Sequence, residues 1–226
     1  GLARVGVHPH RGFETVTIAY QGSVAHHDSS GGGGVIHQGD VQWMTAASGI
    51  LHKEYHEKNF AQNGGPFEMV QLWVNLPKAH KLTPPKYQAL EAASMSKVML
   101  PENGGYVNVI AGDLNGTKGS ASTFTEINVF DIRMNSGGVL STRVPASHNA
   151  SLLVIDGNAL VNGQQAAKHQ FVLFKNEGEE ITIQANENSV LLLLSGTPIN
   201  EPIAQYGPFV MNTQEELQEA FHEYQS

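Results

Sequence analysis

Four side chains with metal-binding chemistry stand in two short pairs, His8-x-His10 and His52-x-Glu54. On an extended strand, residues i and i+2 project from the same face. Each pair is therefore predicted to present two donors on one side of a strand. Two such strands meeting inside a barrel would gather three imidazole nitrogens and one carboxylate around an ion. A donor set of this kind, without thiolates, suits iron, manganese, nickel, copper or zinc. Structural zinc is usually closed in a tetrahedron, often by cysteine. An octahedral ion held by four protein groups instead keeps two positions for a chelating substrate, or for dioxygen beside one.

Other residues near these pairs are weaker candidates. Glu14 lies four residues beyond His10, and on one continuous strand it would share the face of His8 and His10. It is read here as a partner that orients His10 rather than as a ligand. His56 follows Glu54 by two and is expected at the cavity mouth. Arg11 could steer an anionic substrate or cover the barrel rim. His26 and His27 precede a polar turn and are expected to be exposed. His37, His80, His148, His169 and His222 lack partners in the sequence pattern and are read as structural. Gly31 to Gly34 carries no following Gly-Lys-Ser/Thr, so it reads as a hairpin and not a phosphate loop.

The elements that must position these residues are mostly short strands. Phe13 to Tyr20 is β-branched and aromatic and stops at Gln21-Gly22-Ser23. Val24 to Asp28, Val35 to Asp40, Val41 to Met44 and the alternating run Phe67 to Leu76 follow. Short strands separated by glycine-rich turns indicate an all-β barrel or sandwich. Tyr87 to Ala93 reads as a short helix or turn. Asn212 to Phe221 reads as a helix, with Asn212 or Thr213 as cap, Glu215 and Glu216 in the first turn, and an apolar stripe of Leu217, Ala220 and Phe221. A weak internal repeat aligns Gly22 with Gly157, an offset of 135 (157 − 22). That offset places His8 on Arg143 and His10 on Pro145, so the second half is expected to lack the metal pair. The domains expected are residues 1–117, with the metal, and 118–226, without it.

Bulk composition narrows the classes further. The chain has 226 residues, 40% of them hydrophobic and 15% charged, enough to bury a core. Its formal net charge of −8 and the lack of a basic run argue against nucleic-acid binding. There are no cysteines, which excludes disulfides and thiolate ligands. No apolar run approaches the ~20 residues of a membrane span, and no signal peptide is visible at Gly1. The expectation is a soluble cytoplasmic monomer.

Several of these segments resemble the pirin family of bicupins. They are His8-Pro9-His10-Arg11-Gly12-Phe13-Glu14-Thr15-Val16-Thr17, Gly39-Asp40-Val41-Gln42-Trp43-Met44-Thr45-Ala46, and Gly49-Ile50-Leu51-His52-x-Glu54. The run from Phe67 to Pro77 and Glu201-Pro202-Ile203-Ala204-Gln205-Tyr206-Gly207-Pro208-Phe209-Val210-Met211-Asn212 complete the likeness. The resemblance implies two facing antiparallel β-barrels of jelly-roll type with a short C-terminal helix. It implies Fe(II) in the N-terminal barrel, held by His8, His10, His52 and Glu54. It also implies a longer segment ahead of His8 than the seven residues present. Some members of the family open the ring of the flavonol quercetin with dioxygen. Others act as transcriptional co-regulators or bind metabolic enzymes.

Two functions of different class follow. One is a metal-dependent dioxygenase acting on a small polyhydroxylated aromatic substrate and O2, with Glu54 as both ligand and proton acceptor. The other is a regulatory protein whose metal tunes a surface for a protein partner. A cupin isomerase for sugar phosphates ranks behind both, because only Arg11 and Lys53 supply positive charge near the motif.

Overall fold

A computed structural model describes residues 4–226. They divide into two compact units, one formed by the chain up to Ala93 together with Ile199–Ser226, the other by Ser94–Pro198.

In the first unit, eight strands form two four-stranded antiparallel sheets. They are β1 (Arg4–His10), β2 (Phe13–Gln21), β3 (Val24–Asp28), β4 (Gly33–Ile36), β5 (Val41–Thr45), β6 (Ile50–His56), β7 (Glu68–Asn75) and β8 (Lys86–Leu90), with a short helix α1 (Lys58–Asn63) before β7. One sheet has the order β1-β6-β3-β4 and the other β7-β2-β5-β8. Phe13, Val16, Ile18 and Trp43 of the second sheet are fully or almost fully buried. Pro9 sits in β1, at a sheet edge, where its missing N–H breaks no interior ladder.

The break between β1 and β2 is set by Gly12. Its φ is +90°, and a Cβ there would run into the Val210 carbonyl oxygen, so only glycine fits. Val210 belongs to a hairpin, Ala204–Tyr206 and Phe209–Met211, that leads into α2 (Gln214–Gln225). Arg11 N donates to Pro208 O at 3.2 Å and Val210 N donates to Arg11 O at 3.0 Å, which ties this C-terminal segment to the end of β1. Thr213 caps α2, its Oγ1 accepting from Glu216 N at 3.2 Å. Leu217 and Ala220 bury the inner stripe with Phe209 and Met211, and Phe221 packs against them. The helix expected from the sequence is thus present.

Lys81 is the least expected feature of this unit. It is 1% exposed, and its ammonium donates to Gly12 O (2.9 Å), Val210 O (2.9 Å) and Asn75 Oδ1 (2.6 Å). One side chain so joins the β1–β2 turn, the end of β7 and the C-terminal hairpin. Burial lowers its pKa to about 8, against the opposing pull of Glu201 and Glu216.

The second unit repeats the first at the level of strand order. Val139–Arg143, Glu180–Ala185, Asn158–Val161 and Gln164–Ala167 lie in the sequence of neighbours taken by β1, β6, β3 and β4. Phe171–Leu173, Asn149–Asp156 and Ser189–Gly196 take the places of β5, β2 and β7, and Ile127–Met134, Gly105–Ala111 and Ser96–Met99 extend that sheet. Val107, Phe130, Leu152, Ile183, Leu191 and Leu193 are among the residues of its apolar core.

Three expectations change. The boundary near residue 117 moves, because Ser96–Met99 and Gly105–Ala111 pair into the second unit's sheet and the last 28 residues (226 − 199 + 1) return to the first. Tyr87 to Ala93 is not helical: Lys86–Leu90 pairs with β5 as a strand, and only Ala92–Ser94 makes a 3-10 turn. In the second unit, Arg143 is exposed and bonds Glu179 at 2.7 Å. The inward pairs there are Leu140 opposite Ile183 and Thr142 opposite Ile181, so apolar side chains dominate where the first unit carries histidines.

Candidate metal centre

The register of β1 on β6 assembles the centre. His8 lies directly opposite His52, and His10 opposite Ile50, so the three imidazoles share one face with His10 on the diagonal. Ring centroids are 4.2 Å apart for His8–His52, 4.7 Å for His10–His52 and 4.8 Å for His8–His10. Each ring offers one nitrogen lying within 4.8 Å of the other two. Among the described residues, this is the group of three or more His, Cys, Asp or Glu placed to hold an ion. The β1–β6 register shifts between Val5 and His8, just ahead of the histidine pair.

The surroundings favour bare nitrogens. His10 and His52 are 3% and 2% exposed. His52 Nε2 and both ring nitrogens of His10 are buried without a hydrogen bond of ordinary geometry. Orphaned buried nitrogens cost stability unless something binds them, and here they converge. His8 Nδ1 lies 2.7 Å from Gly6 O. Donation of its N–H to that carbonyl leaves Nε2 with its lone pair, the arrangement common to metal-bound histidines. Burial, and then the neighbouring His8, lower the pKa of His10 to about 4, with the Pro208 carbonyl opposing. Burial, and then His10, His8 and His26, lower that of His52 to about 3. Both rings are therefore neutral at pH 7, the state in which imidazole ligates. Phe13 and Trp73 stand edge-on to His10 at 5.2 and 5.6 Å and wall the centre. The donor set fits a first-row transition ion.

Glu54 follows on β6 with the parity of His52 and is 8% exposed. Its carboxylate is not part of the close histidine group. Instead Gln71 Nε2 donates to Glu54 Oε1 at 3.0 Å and to Thr17 Oγ1 at 3.3 Å. Burial raises the pKa of Glu54, while His8 and the Gln71 hydrogen bond pull it down.

Glu14 does not orient His10. The strand breaks at Arg11–Gly12, so the i, i+4 parity argument lapses, and Glu14 lies on β2 in the other sheet. Phe13 is the residue of β2 that touches His10. Glu14, on the opposite face, is buried and accepts from Thr45 Oγ1 at 2.7 Å. His56 packs on Phe67 and Phe60 at 4.6 and 5.5 Å. Arg11 pairs with Glu223 of α2 at 2.7 Å. His148 is buried beside Ser195 and Thr197, a structural place as expected.

His26 was expected to be exposed and is 6% exposed. It lies on β3, an inner strand of its sheet, directly opposite Glu54, and Asp28 lies opposite His52. The sequence shows a polar turn after this pair but not that β3 has neighbours on both sides. The i, i+2 spacing of His26 and Asp28 was the available signal.

A chain built of two strand units in one repeated order, the first enclosing a histidine centre, is a bicupin. Residues 2–74 match the family model Pirin, and residues 129–226 match the model of the Pirin C-terminal cupin domain. Pirin-1 of Arabidopsis thaliana is 40% identical over 97% of this chain and 76% of its own length. The crystal structure of a quercetin 2,3-dioxygenase from Acinetobacter baumannii is 49% identical, with a TM-score of 0.95 over 100% of this chain and 78% of that one. A bacterial pirin from Escherichia coli, solved in complex with nickel(II), shares the fold at 24% identity, with a TM-score of 0.67 over 86% of this chain and 77% of that one. The chain belongs to the pirin family. No helix among the described residues is long and apolar enough to cross a membrane.

Proposed function

We propose that this protein is an iron-dependent dioxygenase that opens the ring of a flavonol such as quercetin with O2. The observation that carries the reading is the meeting of His8, His10 and His52, with buried nitrogens that lack hydrogen-bond partners. The similarity to a quercetin 2,3-dioxygenase supports the choice of substrate. The ligands assigned are His8, His10 and His52, with Glu54 as the fourth, and Fe(II) as the ion. Manganese, nickel, copper and zinc are ions the same donors would accept. The bound ion would supply Lewis acidity and a place for a substrate oxygen and dioxygen.

The protein's own residues do the rest. The Gly6 carbonyl holds the tautomer of His8. Burial keeps His10 and His52 unprotonated. Phe13, fully buried, packs edge-on against His10 and limits water on that side of the ring. Gln71 fixes Glu54 Oε1, so acceptance of the substrate hydroxyl proton falls to Oε2.

The test is oxygen uptake by iron-loaded protein supplied with quercetin, beside the His52→Ala variant. Uptake with wild type and loss with the variant are expected. Equal rates for the two proteins would refute the reading.

A further inference from the structure

We propose that the first unit carries a binding site for a planar, uncharged, polyhydroxylated aromatic molecule, in a cavity between the edge strands β4 and β8. The choice of a flavonoid-type ligand rests on the dioxygenase reading; the existence and polarity of the site do not.

The cavity measures about 720 Å³, within the usual range for small-molecule sites. Val35, Ile36, Val41 and Leu90 give it apolar walls. No lysine or arginine lines it, while Asp40 and Glu91 do. An anionic ligand such as a sugar phosphate is therefore disfavoured.

The hydrogen-bonding groups lie together. The Gln42 amide nitrogen is 2.8 Å from His26 Nδ1, and Tyr87 stacks on the His26 ring at 5.3 Å and 27°. All three line the cavity. Gly34 faces His26 across β3–β4, and a Cβ there would come within 3.3 Å of His26 Nε2. A bare backbone at this point leaves a flat wall beside the ring.

These floor residues back onto the metal centre. His26 is directly opposite Glu54, so the backbones of the two residues stand one strand spacing, ~4.8 Å, apart. Gln42 lies opposite Thr17 on β2, and Thr17 shares Gln71 with Glu54. A second cavity of about 370 Å³ borders His10, Arg11 and α2. Of its β1 and β6 residues, Pro9 and Leu51 alternate away from the face of the histidines, while His10 and Ile50 share that face.

Luteolin, a flavone without the 3-hydroxyl group, is the probe, with affinity measured by titration calorimetry on metal-free and Ni(II)-loaded protein. The two forms are expected to bind it within about threefold of each other. Ala89→Trp fills the cavity from β8, opposite Gln42, and Gln42→Leu removes a floor amide. Each is expected to weaken luteolin at least about tenfold with Ni(II) binding unchanged. Ala89 is exposed, so its variant should fold, and circular-dichroism melting verifies both. His52→Ala should leave luteolin binding intact. Wild-type affinity in both cavity variants would overturn the site. So would loss of binding on metal removal or in His52→Ala, which places the ligand on the histidines alone. Cavity-dependent luteolin binding without oxygen uptake on quercetin would sink the dioxygenase and keep the site. Quercetin turnover that survives Ala89→Trp would do the reverse.

Discussion

His8 and His52 stand directly opposite each other across β1 and β6, with ring centroids 4.2 Å apart. Two aromatic cations could not share that separation in a buried place. Burial lowers the pKa of His52 to about 3, so its ring is neutral at pH 7 and no charge–charge repulsion opposes the close approach.

Gln71 is the first test. It holds Glu54 Oε1 at 3.0 Å, and its own Oε1 accepts from Trp73 Nε1 at 3.4 Å. Gln71→Leu is expected to weaken metal affinity by roughly 10–100-fold, the usual effect of removing a partner of a ligand. Competition titration with Co(II), read by its visible absorption, measures this. An unchanged affinity and spectrum would show that Glu54 needs no orientation.

Acid should unfold the metal-free protein through its histidines. His10 and His52 titrate near 4 and 3 when folded, against 6.5 in an unfolded chain. Below pH 6.5 the unfolded chain takes up protons that the folded one refuses, so stability falls as pH drops toward 4 and then 3. The loss should reach the order of a few kcal/mol. Glu54, with a raised pKa, acts in the opposite sense at the acid end of this window. Urea midpoints measured from pH 7 to 4 should fall steeply for wild type and less steeply for His52→Leu. Parallel curves would contradict the account.

Lys81→Met should be costly although Lys81 is distant from solvent chemistry. It removes the shared donor of Gly12 O, Val210 O and Asn75 Oδ1, although Asn75 Oδ1 still accepts from Leu76 N at 2.9 Å. A loss of about 2–4 kcal/mol is expected, measured by urea unfolding. A change under about 0.5 kcal/mol, typical of surface sites, would show that the ammonium is dispensable.

Arg11→Ala gives the contrast. Its ion pair with Glu223 reaches 2.7 Å, but the Glu223 side chain is 54% exposed. A surface pair of this kind contributes about 0–1 kcal/mol, so thermal melting should shift little, and less in high salt.

Much of the centre was legible because strand parity is a local rule. The pairs His8-x-His10 and His52-x-Glu54 needed only extended backbone, and they lie on β1 and β6 as that rule requires. The same rule failed for Glu14, where the turn at Arg11–Gly12 resets the face. Tyr87 was read as a short helix or turn for a separate reason: its strand is defined by pairing with β5, which a local pattern does not show. His26 was misplaced because burial depends on the number of neighbouring strands. Lys81 was invisible for a different reason. Its acceptors lie 69 and 129 residues away and are backbone carbonyls, which no side-chain pattern records. The repeat was legible in its turns, Gly22 and Gly157, but its fixed offset slipped by one face at Arg143.

The central claim is that His8, His10 and His52 hold an ion with Glu54 beside them. Its most direct test is the iron bound per chain after anaerobic loading with Fe(II) and desalting, measured by emission spectrometry. The account predicts one iron per wild-type chain and none on His52→Ala. Iron-free wild type, or equal iron on both proteins, would contradict it.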